Sequence, residues 1–352
     1  MDKNLDFSVL DNRISTYCKD NNIFGALRIT YKDKILFQKQ MGYSNMSKKL
    51  PITEKSMFTF YSLSKPFCAI GLLLLKDKGL VNIDLHPSVY VKEAKGFDER
   101  VTIRQMLQHV SGLPDFEQNA EFASSHRPGY AKYVRGHLAE LTNYPQYFEP
   151  GTADRYANVN FVLCALIIEN VSGLTYPQYM QKFVFEPLGM NTALIDDENL
   201  KVDNRVQGYE LINDMPCEVQ KSHNWLLGAG DMVGTVEDVY ALNKAIKNRL
   251  LLCEETWEEV LTPSSINSMG MGCTITNWHG KTRITHNGGH YGFRTLHIQL
   301  PEDDFDIIFL SNSGYGRARE DISQMIYNFF YGEESSGNAQ TSNAVSMDKG
   351  YI

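Results

Sequence analysis

The sequence predicts an α/β protein of the α+β type, in which an antiparallel sheet flanked by helices is built from both ends of the chain. Runs of β-forming residues lie near the amino terminus and in the last third, and helical patterns dominate the segment between them. The 352 residues are 43% hydrophobic and 22% charged, as in folded globular proteins. We therefore predict a discontinuous sheet domain at 1–80 and 236–332, an inserted, mainly helical domain at 81–235, and a flexible tail at 333–352.

A hairpin and a buried helix are predicted in the first part of the chain. Residues 26–31 and 35–40 are rich in β-formers and are separated by a short polar segment, which is typical of two antiparallel strands. The segment 62–79 has a nearly continuous apolar middle, Pro66 in its first turn, and lysines and Gly79 at its end. This pattern indicates a helix that is buried on most sides.

Helical patterns continue through the middle of the chain, and strand patterns follow them. Turns rich in Gly and Pro separate the predicted helices, which cover 102–109, 130–141, 158–170 and 176–185. The predicted strands cover 270–276, 282–286, 294–300 and 305–311, and an amphipathic helix at 317–331 closes the pattern. We expect these strands to join the amino-terminal hairpin in one sheet.

Charge and hydropathy disfavour two classes of partner. The chain has 34 Lys and Arg against 42 Asp and Glu, a formal net charge of −8 without a long block of either sign. This balance argues against nucleic acid as the main partner. The longest uninterrupted apolar stretch, 68–75, is far shorter than the roughly 20 residues that cross a bilayer, so no membrane span is expected. The expected partner is a small-molecule or short peptide substrate.

The cysteines and the amino terminus indicate a reducing compartment. The six cysteines lie at least 20 positions apart without a C-x-x-C pair, so we expect buried free thiols and neither a zinc nor a redox site. We predict no metal and no cofactor. An acidic residue at position 2 without a following apolar segment favours a cytoplasmic location, although an exported protein without its leader would have the same pattern.

Ser62 and Lys65 form the first candidate catalytic element. The sequence lacks H-E-x-x-H, G-x-x-x-x-G-K-[ST], G-x-S-x-G and G-x-G-x-x-G, which disfavours metalloproteases, P-loop hydrolases and dinucleotide enzymes. Ser62-Leu63-Ser64-Lys65 starts the buried helix, where residues three apart share a face and backbone N–H groups can meet an oxyanion. An uncharged lysine amine would activate the serine hydroxyl. The alternative is a solvent-facing pair, and the spacing recurs at 346–349.

Tyr156 and Asn158 form the second candidate element, between a Pro-Gly turn and a predicted helix. A phenol can transfer a proton between the attacking and leaving groups, and an amide can orient a lysine and a substrate. The alternative is a packed tyrosine with Asn158 capping the helix, and the segment 43–45 fits the same triplet.

His286, Gly288 and Gly289 form the third candidate element, at the end of a predicted strand. The glycines would allow a substrate backbone to lie against the strand edge, and the N–H of Gly289 could complete an oxyanion site. A glycine-rich hairpin turn is the alternative, and residues 290–292 share the H-x-G form.

In this order, the three elements resemble the serine β-lactamase and penicillin-binding protein family. The resemblance is to the branch of class C β-lactamases, D-Ala-D-Ala carboxypeptidases, D-aminopeptidases and related esterases, and it covers nearly the whole chain. Further segments follow the family pattern, at 106–115, 148–151, 167–173, 185–190 and 228–238. The resemblance implies the β-lactamase/DD-peptidase-like fold.

The resemblance also implies roles for these residues. Ser62 would be the acylated nucleophile, Lys65 and Tyr156 would move its proton, and Asn158 would position the substrate. The N–H groups of Ser62 and Gly289 would form the oxyanion hole.

Two histidines need separate interpretation. His286 stands where β-lactamases of the family typically carry lysine, as in the peptidases and some esterases. An imidazole that is neutral or charged near pH 7 would attract a substrate carboxylate more weakly and in a pH-dependent way. His109, in the family-like segment 106–115, is expected to be structural.

The leading hypothesis is a metal-independent serine hydrolase that acts through an acyl-enzyme on an amide, peptide or ester, as a DD-peptidase, D-aminopeptidase or esterase does. One alternative is a true class C-like β-lactamase. Another is a binding or scaffold homologue that kept the fold and lost turnover. The segment 117–133 is expected to influence the preference for the leaving group.

Overall fold

An antiparallel sheet assembled from both ends of the chain forms the framework of the protein. A computed structural model describes residues 5–116, 137–196, 200–219 and 227–332. The strands are β1 (Gly25–Tyr31), β2 (Lys34–Met41), β3 (Tyr43–Asn45), β4 (Leu50–Pro51), β5 (Phe58–Thr59), β6 (Leu194–Ile195), β7 (Tyr209–Ile212), β8 (Met215–Glu218), β9 (Met232–Gly234), β10 (Thr274–Trp278), β11 (Lys281–His290), β12 (Phe293–Leu300) and β13 (Phe305–Ser311). Six of them form the main sheet in the order β10-β11-β12-β13-β1-β2, all antiparallel.

Helices cover both faces of this sheet. They are α1 (Phe7–Asp20), α2 (Lys65–Asp77), α3 (Ile103–Leu107), α4 (Val159–Ser172), α5 (Tyr176–Met180), α6 (Val236–Lys247), α7 (Glu254–Leu261) and α8 (Ala318–Tyr331). A short 3-10 helix, Tyr61–Ser64, leads directly into α2.

Pairing of β1 with β13 joins the two ends of the chain. Gly25 lies opposite Ser311 and Tyr31 lies opposite Phe305, so the pairing runs along the whole of both strands. The predicted antiparallel sheet with contributions from both termini is confirmed.

Alternate residues of the central strands enter two separate cores. Leu27 of β1 and Phe309 of β13 pack with α1 and α8, whereas Ala26 and Leu310 pack with α2 and α4. Side chains of successive strand residues point to opposite faces, which explains why every residue of β13 is buried. The second core surrounds the start of α2 and therefore supports the predicted site.

Some predicted elements differ from the observed ones. The helix predicted from residue 62 begins as the 3-10 turn, and the strand predicted at 270–276 begins only at Thr274. The region predicted as mainly helical also contains β6 to β9, which are too short to give a clear periodicity. Part of the predicted helix 130–141, the segment 117–133 and the tail 333–352 lie outside the described residues. The division into two domains stays a prediction.

The apolar helix α4 lies inside the protein. Its residues from Val159 to Ile168 are all buried. Within the described ranges, no single helix is long and apolar enough to cross a membrane. Among the described helices, only α4 and the segment 176–185 together have such a length and composition, and the two are bent by 79°. The cysteines are free thiols, and four of the six are buried, as predicted.

Candidate active site

Ser62 and Lys65 lie together at the junction between the 3-10 helix and α2. The Lys65 Nζ is 3.1 Å from the Ser62 Oγ. Residues three apart share one face of a helical turn, so the local backbone alone brings the two groups together. The structure thus places the first predicted pair in hydrogen-bonding contact.

The Lys65 side chain is completely buried and is surrounded by oxygen atoms. In addition to Ser62, the Nζ donates to the Asn158 Oδ1 at 2.9 Å and to the backbone oxygen of Ala229 at 2.7 Å. Of these three oxygens, only the serine hydroxyl can also donate a hydrogen bond. An uncharged Lys65 that keeps its two carbonyl partners therefore directs its lone pair at the Ser62 proton, which is the arrangement that a base requires.

Tyr156, which lies 94 residues further along the sequence, contacts the same hydroxyl. Its OH donates to the Ser62 Oγ at 2.5 Å, and the Lys65 Nζ lies 4.6 Å from the centre of its ring. The His109 ring stacks on the Tyr156 ring at 4.4 Å with an interplanar angle of 28°. The stacking limits the positions that the phenol can adopt.

His109 is itself fixed by its neighbours. Its Nδ1 accepts from the backbone N–H of Ala157 at 3.2 Å and lies 3.3 Å from the Asn160 Nδ2. Burial lowers the pKa of His109 well below its ordinary value, with the Lys65 charge acting in the same direction. A neutral, hydrogen-bonded imidazole beneath Tyr156 is consistent with the structural role expected for His109.

Asp115 holds the start of α4, which carries Asn158. Its carboxylate accepts from the backbone N–H groups of Asn158 at 2.6 Å, Val159 at 3.0 Å and Phe116 at 2.9 Å. Asn158, the residue before α4, does not cap the helix with its own side chain, which contacts Lys65 instead. Burial raises the pKa of Asp115, and the three N–H donors oppose this effect. Sequence reasoning gave Asp115 no role, because its contact with α4 bridges about 40 residues.

Replacing Asp115 with alanine is expected to lower the free energy of unfolding by about 2–4 kcal/mol, because buried N–H groups at a helix start lose their acceptor. Chemical denaturation with linear extrapolation measures this change. The exposed Asp154 on the turn before Tyr156 provides the control, since Asp154→Ala is expected to change the unfolding free energy by less than about 0.5 kcal/mol. Equal effects of the two variants would contradict the capping role.

A buried aspartate fixes the backbone oxygen that Lys65 contacts. The Asp231 Oδ2 accepts from the Gly228 N–H at 2.8 Å, which closes a turn around Ala229. Burial raises the pKa of Asp231 to about 7, opposed by its backbone hydrogen bonds. Ala229, which sequence reasoning did not single out, therefore contributes to the site through its main chain, where no side-chain pattern could reveal it.

The backbone just before Ser62 adopts an unusual conformation. Tyr61 has φ of +49°, in the left-handed region that favours glycine. Its buried ring packs against Phe293 at 5.8 Å and His290 at 5.7 Å between ring centres. Such backbone strain persists only where surrounding contacts hold it, and it is typical of functional sites.

The strand β11 lies beside the nucleophile segment. Among the described strands, β10 pairs with residues 281–285 of β11 and leaves 286–290 open on that edge. A Cβ at Gly288 would lie 2.1 Å from the Phe60 oxygen and 3.0 Å from the Leu63 nitrogen. Only glycine allows β11 to approach the segment before Ser62 this closely. Gly289 is exposed on the same stretch, so the glycines of the third predicted element lie next to the first.

Contrary to the expectation from the sequence, the imidazole of His286 does not titrate near pH 7. The side chain is buried, and this burial, together with the nearby Lys65 charge, lowers the pKa of the imidazole to about 3. Its Nδ1 is 2.6 Å from the backbone oxygen of Asn287, which can only accept, so the Nδ1 carries the proton. At neutral pH the ring is uncharged, and its Nε2 is an acceptor.

The structure therefore brings the predicted residues together at one place. Ser62, Lys65, Tyr156 and Asn158 share direct hydrogen bonds, and Gly288 packs on the same backbone segment. The arrangement can activate one hydroxyl and can transfer its proton.

Comparisons with known proteins place the chain in a family. A family model described as Beta-lactamase matches residues 10–326. Penicillin-binding protein 4* of Bacillus subtilis (strain 168) is 29% identical over 300 residues, which are 79% of this chain and 65% of that protein. The chain thus spans slightly less than two thirds of the length of this relative.

Solved structures share the fold at low sequence identity. A penicillin-binding protein from Bacillus halodurans superimposes with a TM-score of 0.79 at 23% identity, covering 91% of this chain and 99% of that one. The D-amino acid amidase from Ochrobactrum anthropi SV3, complexed with D-phenylalanine, has a TM-score of 0.77 at 21% identity and covers 93% and 99%. Since the family match extends over most of the sequence, this chain belongs to the Beta-lactamase family of serine β-lactamases and penicillin-binding protein homologues.

Proposed function

We propose that this protein is a serine hydrolase that acts through an acyl-enzyme on an amide, peptide or ester substrate. One observation carries the proposal: the Ser62 Oγ lies within hydrogen-bonding distance of both the Lys65 Nζ and the Tyr156 OH. A serine hydroxyl is a weak nucleophile until a neighbouring base takes its proton, and this pair supplies such a base.

The proposed reaction has two steps. The Ser62 Oγ attacks the substrate carbonyl carbon while its proton passes to the Lys65–Tyr156 pair, and the pair returns the proton to the leaving amine or alcohol as the bond to carbon breaks. Water then attacks the carbonyl carbon of the ester on Ser62 and gives a proton to the pair. The pair returns a proton to the Ser62 Oγ as its bond to carbon breaks, and the acid leaves. The N–H groups of Ser62 and Gly289 are the proposed donors to the oxyanion in both steps.

The state of His286 supports substrates without a carboxylate beside β11. A neutral ring whose Nε2 accepts attracts an N–H or O–H donor, whereas a carboxylate needs a donor or a cation. Amides, D-amino amides and simple esters meet this condition. A D-amino acid amidase is among the proteins of the same fold.

A panel of substrates tests the reaction and its specificity. We expect hydrolysis of a D-amino amide and a short-chain ester to exceed that of a chromogenic cephalosporin and a peptide that ends in D-Ala-D-Ala, both of which carry a carboxylate. Fastest turnover of the cephalosporin would instead support a class C-like β-lactamase. A stable adduct without turnover of any substrate would support a binding homologue.

The position of the acyl group is tested in the same samples. A serine-directed acylating probe is expected to add its mass to the peptide that contains Ser62, and fragmentation separates this residue from Ser56 and Ser64 on either side. An adduct on either neighbour would refute the proposal.

A further inference from the structure

The carbonyl oxygen of Gly288 accepts a hydrogen bond from one buried side chain and lies close to a second, and the proposed reaction uses neither of them. The Arg319 Nη1 donates to it at 3.2 Å, and the Thr295 Oγ1 lies 3.3 Å away. Arg319 is 5% exposed and Thr295 is completely buried. Arg319 is the second residue of α8, so the last helix contacts the strand beside the nucleophile.

The same peptide group carries the N–H of Gly289. The described residues contain no cis peptide bond, and in a trans peptide the C=O and N–H point to opposite sides. The C=O of Gly288 points toward β12 and α8, where Thr295 and Arg319 lie. The N–H of Gly289 therefore points toward the edge that β10 leaves open. The proposed function assigns the substrate oxygen to this edge.

A donor on the C=O of a peptide strengthens its N–H. Hydrogen bonds in series polarise one another, and a charged donor such as a guanidinium polarises more than a neutral one. A peptide held in this way also needs no reorganisation when negative charge develops on the substrate oxygen.

We propose that Arg319, assisted by Thr295, is a positioning residue that orients and polarises the Gly288–Gly289 peptide as an oxyanion donor. This inference rests on the proposed function, because it assigns a role in that reaction. The single hydroxyl proton of Thr295 is directed mainly to the Phe60 oxygen at 2.8 Å, so Arg319 is the main donor to Gly288, and Thr295 connects β12 to the segment before Ser62. One hydroxyl thereby links the two parts of the backbone that carry the proposed oxyanion donors.

The test compares Arg319→Met with Arg319→Lys and with the control variant Arg317→Met. Arg317 is an exposed arginine just before α8, and its guanidinium pairs with Asp321. Arg319→Met is expected to lower kcat about tenfold while KM changes less than about threefold, because the polarised N–H acts mainly on the transition state. The affinity of a boronic acid, which forms an anionic tetrahedral adduct on serine, should fall by the same factor. Arg319→Lys, which keeps a positive charge, should show a smaller loss than Arg319→Met. Arg317→Met should behave as wild type.

Infrared spectroscopy of the acyl-enzyme separates polarisation from a merely structural role. With a carbonyl-labelled, slowly released acyl group, the C=O stretch of Arg319→Met should move to higher frequency than in wild type, since a weaker N–H donor polarises the acyl carbonyl less. An unchanged band, or a loss of kcat without a loss of boronic acid affinity, would overturn the proposal.

If Arg319→Met does not fold, Thr295→Val provides a second test of the contacts with the Gly288 carbonyl. Valine removes the hydroxyl at nearly constant volume, and Thr295→Ser restores it. The valine variant should show a smaller change in the same direction in boronic acid affinity and in the infrared band, because Thr295 contributes the weaker contact, and the serine variant should not. If wild type forms no adduct on Ser62, the proposed function itself fails, whereas an adduct on Ser62 with an insensitive band overturns only the role of Arg319.

Discussion

Replacing Ser62 with alanine is expected to abolish covalent labelling and to lower hydrolysis of every accepted substrate by at least about 10⁴-fold. The Ser62 Oγ forms hydrogen bonds with the Tyr156 OH at 2.5 Å and with the Lys65 Nζ at 3.1 Å. Both proposed proton-transfer groups therefore lose their common partner when the hydroxyl is removed. Steady-state rates and intact mass after treatment with an acylating probe measure the two effects. Ser62 is only partly buried and alanine is smaller, so the fold should remain intact.

Ser64 provides the matched control, because it lies two residues further along the same 3-10 helix. Its Oγ accepts from the backbone N–H of Met232 at 3.1 Å and points away from the candidate site, toward β9. Ser64→Ala is expected to lose some stability and to keep full labelling. If labelling survives in Ser62→Ala and disappears in Ser64→Ala, the nucleophile is Ser64 and the proposed assignment is wrong.

The main sheet could be predicted because its strands have a clear pattern. The observed β11, β12 and β13 cover the predicted runs 282–286, 294–300 and 305–311, since buried strands of this length have dense β-branched and aromatic residues. The small strands β6 and β9 have two and three residues and pair only through tertiary contacts, so no local pattern could show them.

The part of the candidate site that consists of side chains close in sequence could be predicted. Ser62 and Lys65 are three residues apart, and helical geometry alone joins them. Asp115 and the Ala229 carbonyl act on the site through backbone groups of distant segments. Contacts of this kind depend on how the helices pack, which one sequence does not specify.

His286 illustrates a different limit. The sequence specifies the residue type, but burial and the Lys65 charge determine its protonation and lower the pKa to about 3. An imidazole pKa reflects desolvation and neighbouring charges more than residue type, and neither can be read before the fold is known. For this reason the expected mixture of charged and neutral imidazole near pH 7 is not found, whereas the weaker attraction of a carboxylate stays a prediction.

Replacing Lys65 with methionine is expected to lower the rate of acylation by about 10³-fold, the middle of the range for the loss of a general base. The methionine side chain fills a similar volume without an amine, so Ser62 keeps its place and loses the acceptor of its proton. Because the Asn158 Oδ1 and the Ala229 oxygen also lose a donor, unfolding should be measured beside activity to exclude a general loss of structure.

Lys65→Arg distinguishes a base from a positive charge. A guanidinium keeps the charge but does not release its proton at any pH that the enzyme tolerates, so a base at this position is lost in both variants. If Lys65 only stabilises negative charge, Lys65→Arg should instead retain much of the activity of wild type. Equal losses in the two variants support the base.

Chemical restoration of an amine at position 65 tests whether the lysine amine is the base. Lys65→Cys, alkylated to carry an aminoethyl group, has a side chain of nearly the same length as lysine with a less basic amine, and wild type treated in the same way controls for alkylation of the exposed Cys253. If the uncharged amine takes the Ser62 proton, activity should return and the acidic limb of its pH profile should move to lower pH. Restored activity with an unmoved acidic limb would mean that another group is the base, and Tyr156, whose OH contacts the same hydroxyl, would then be the residue to replace.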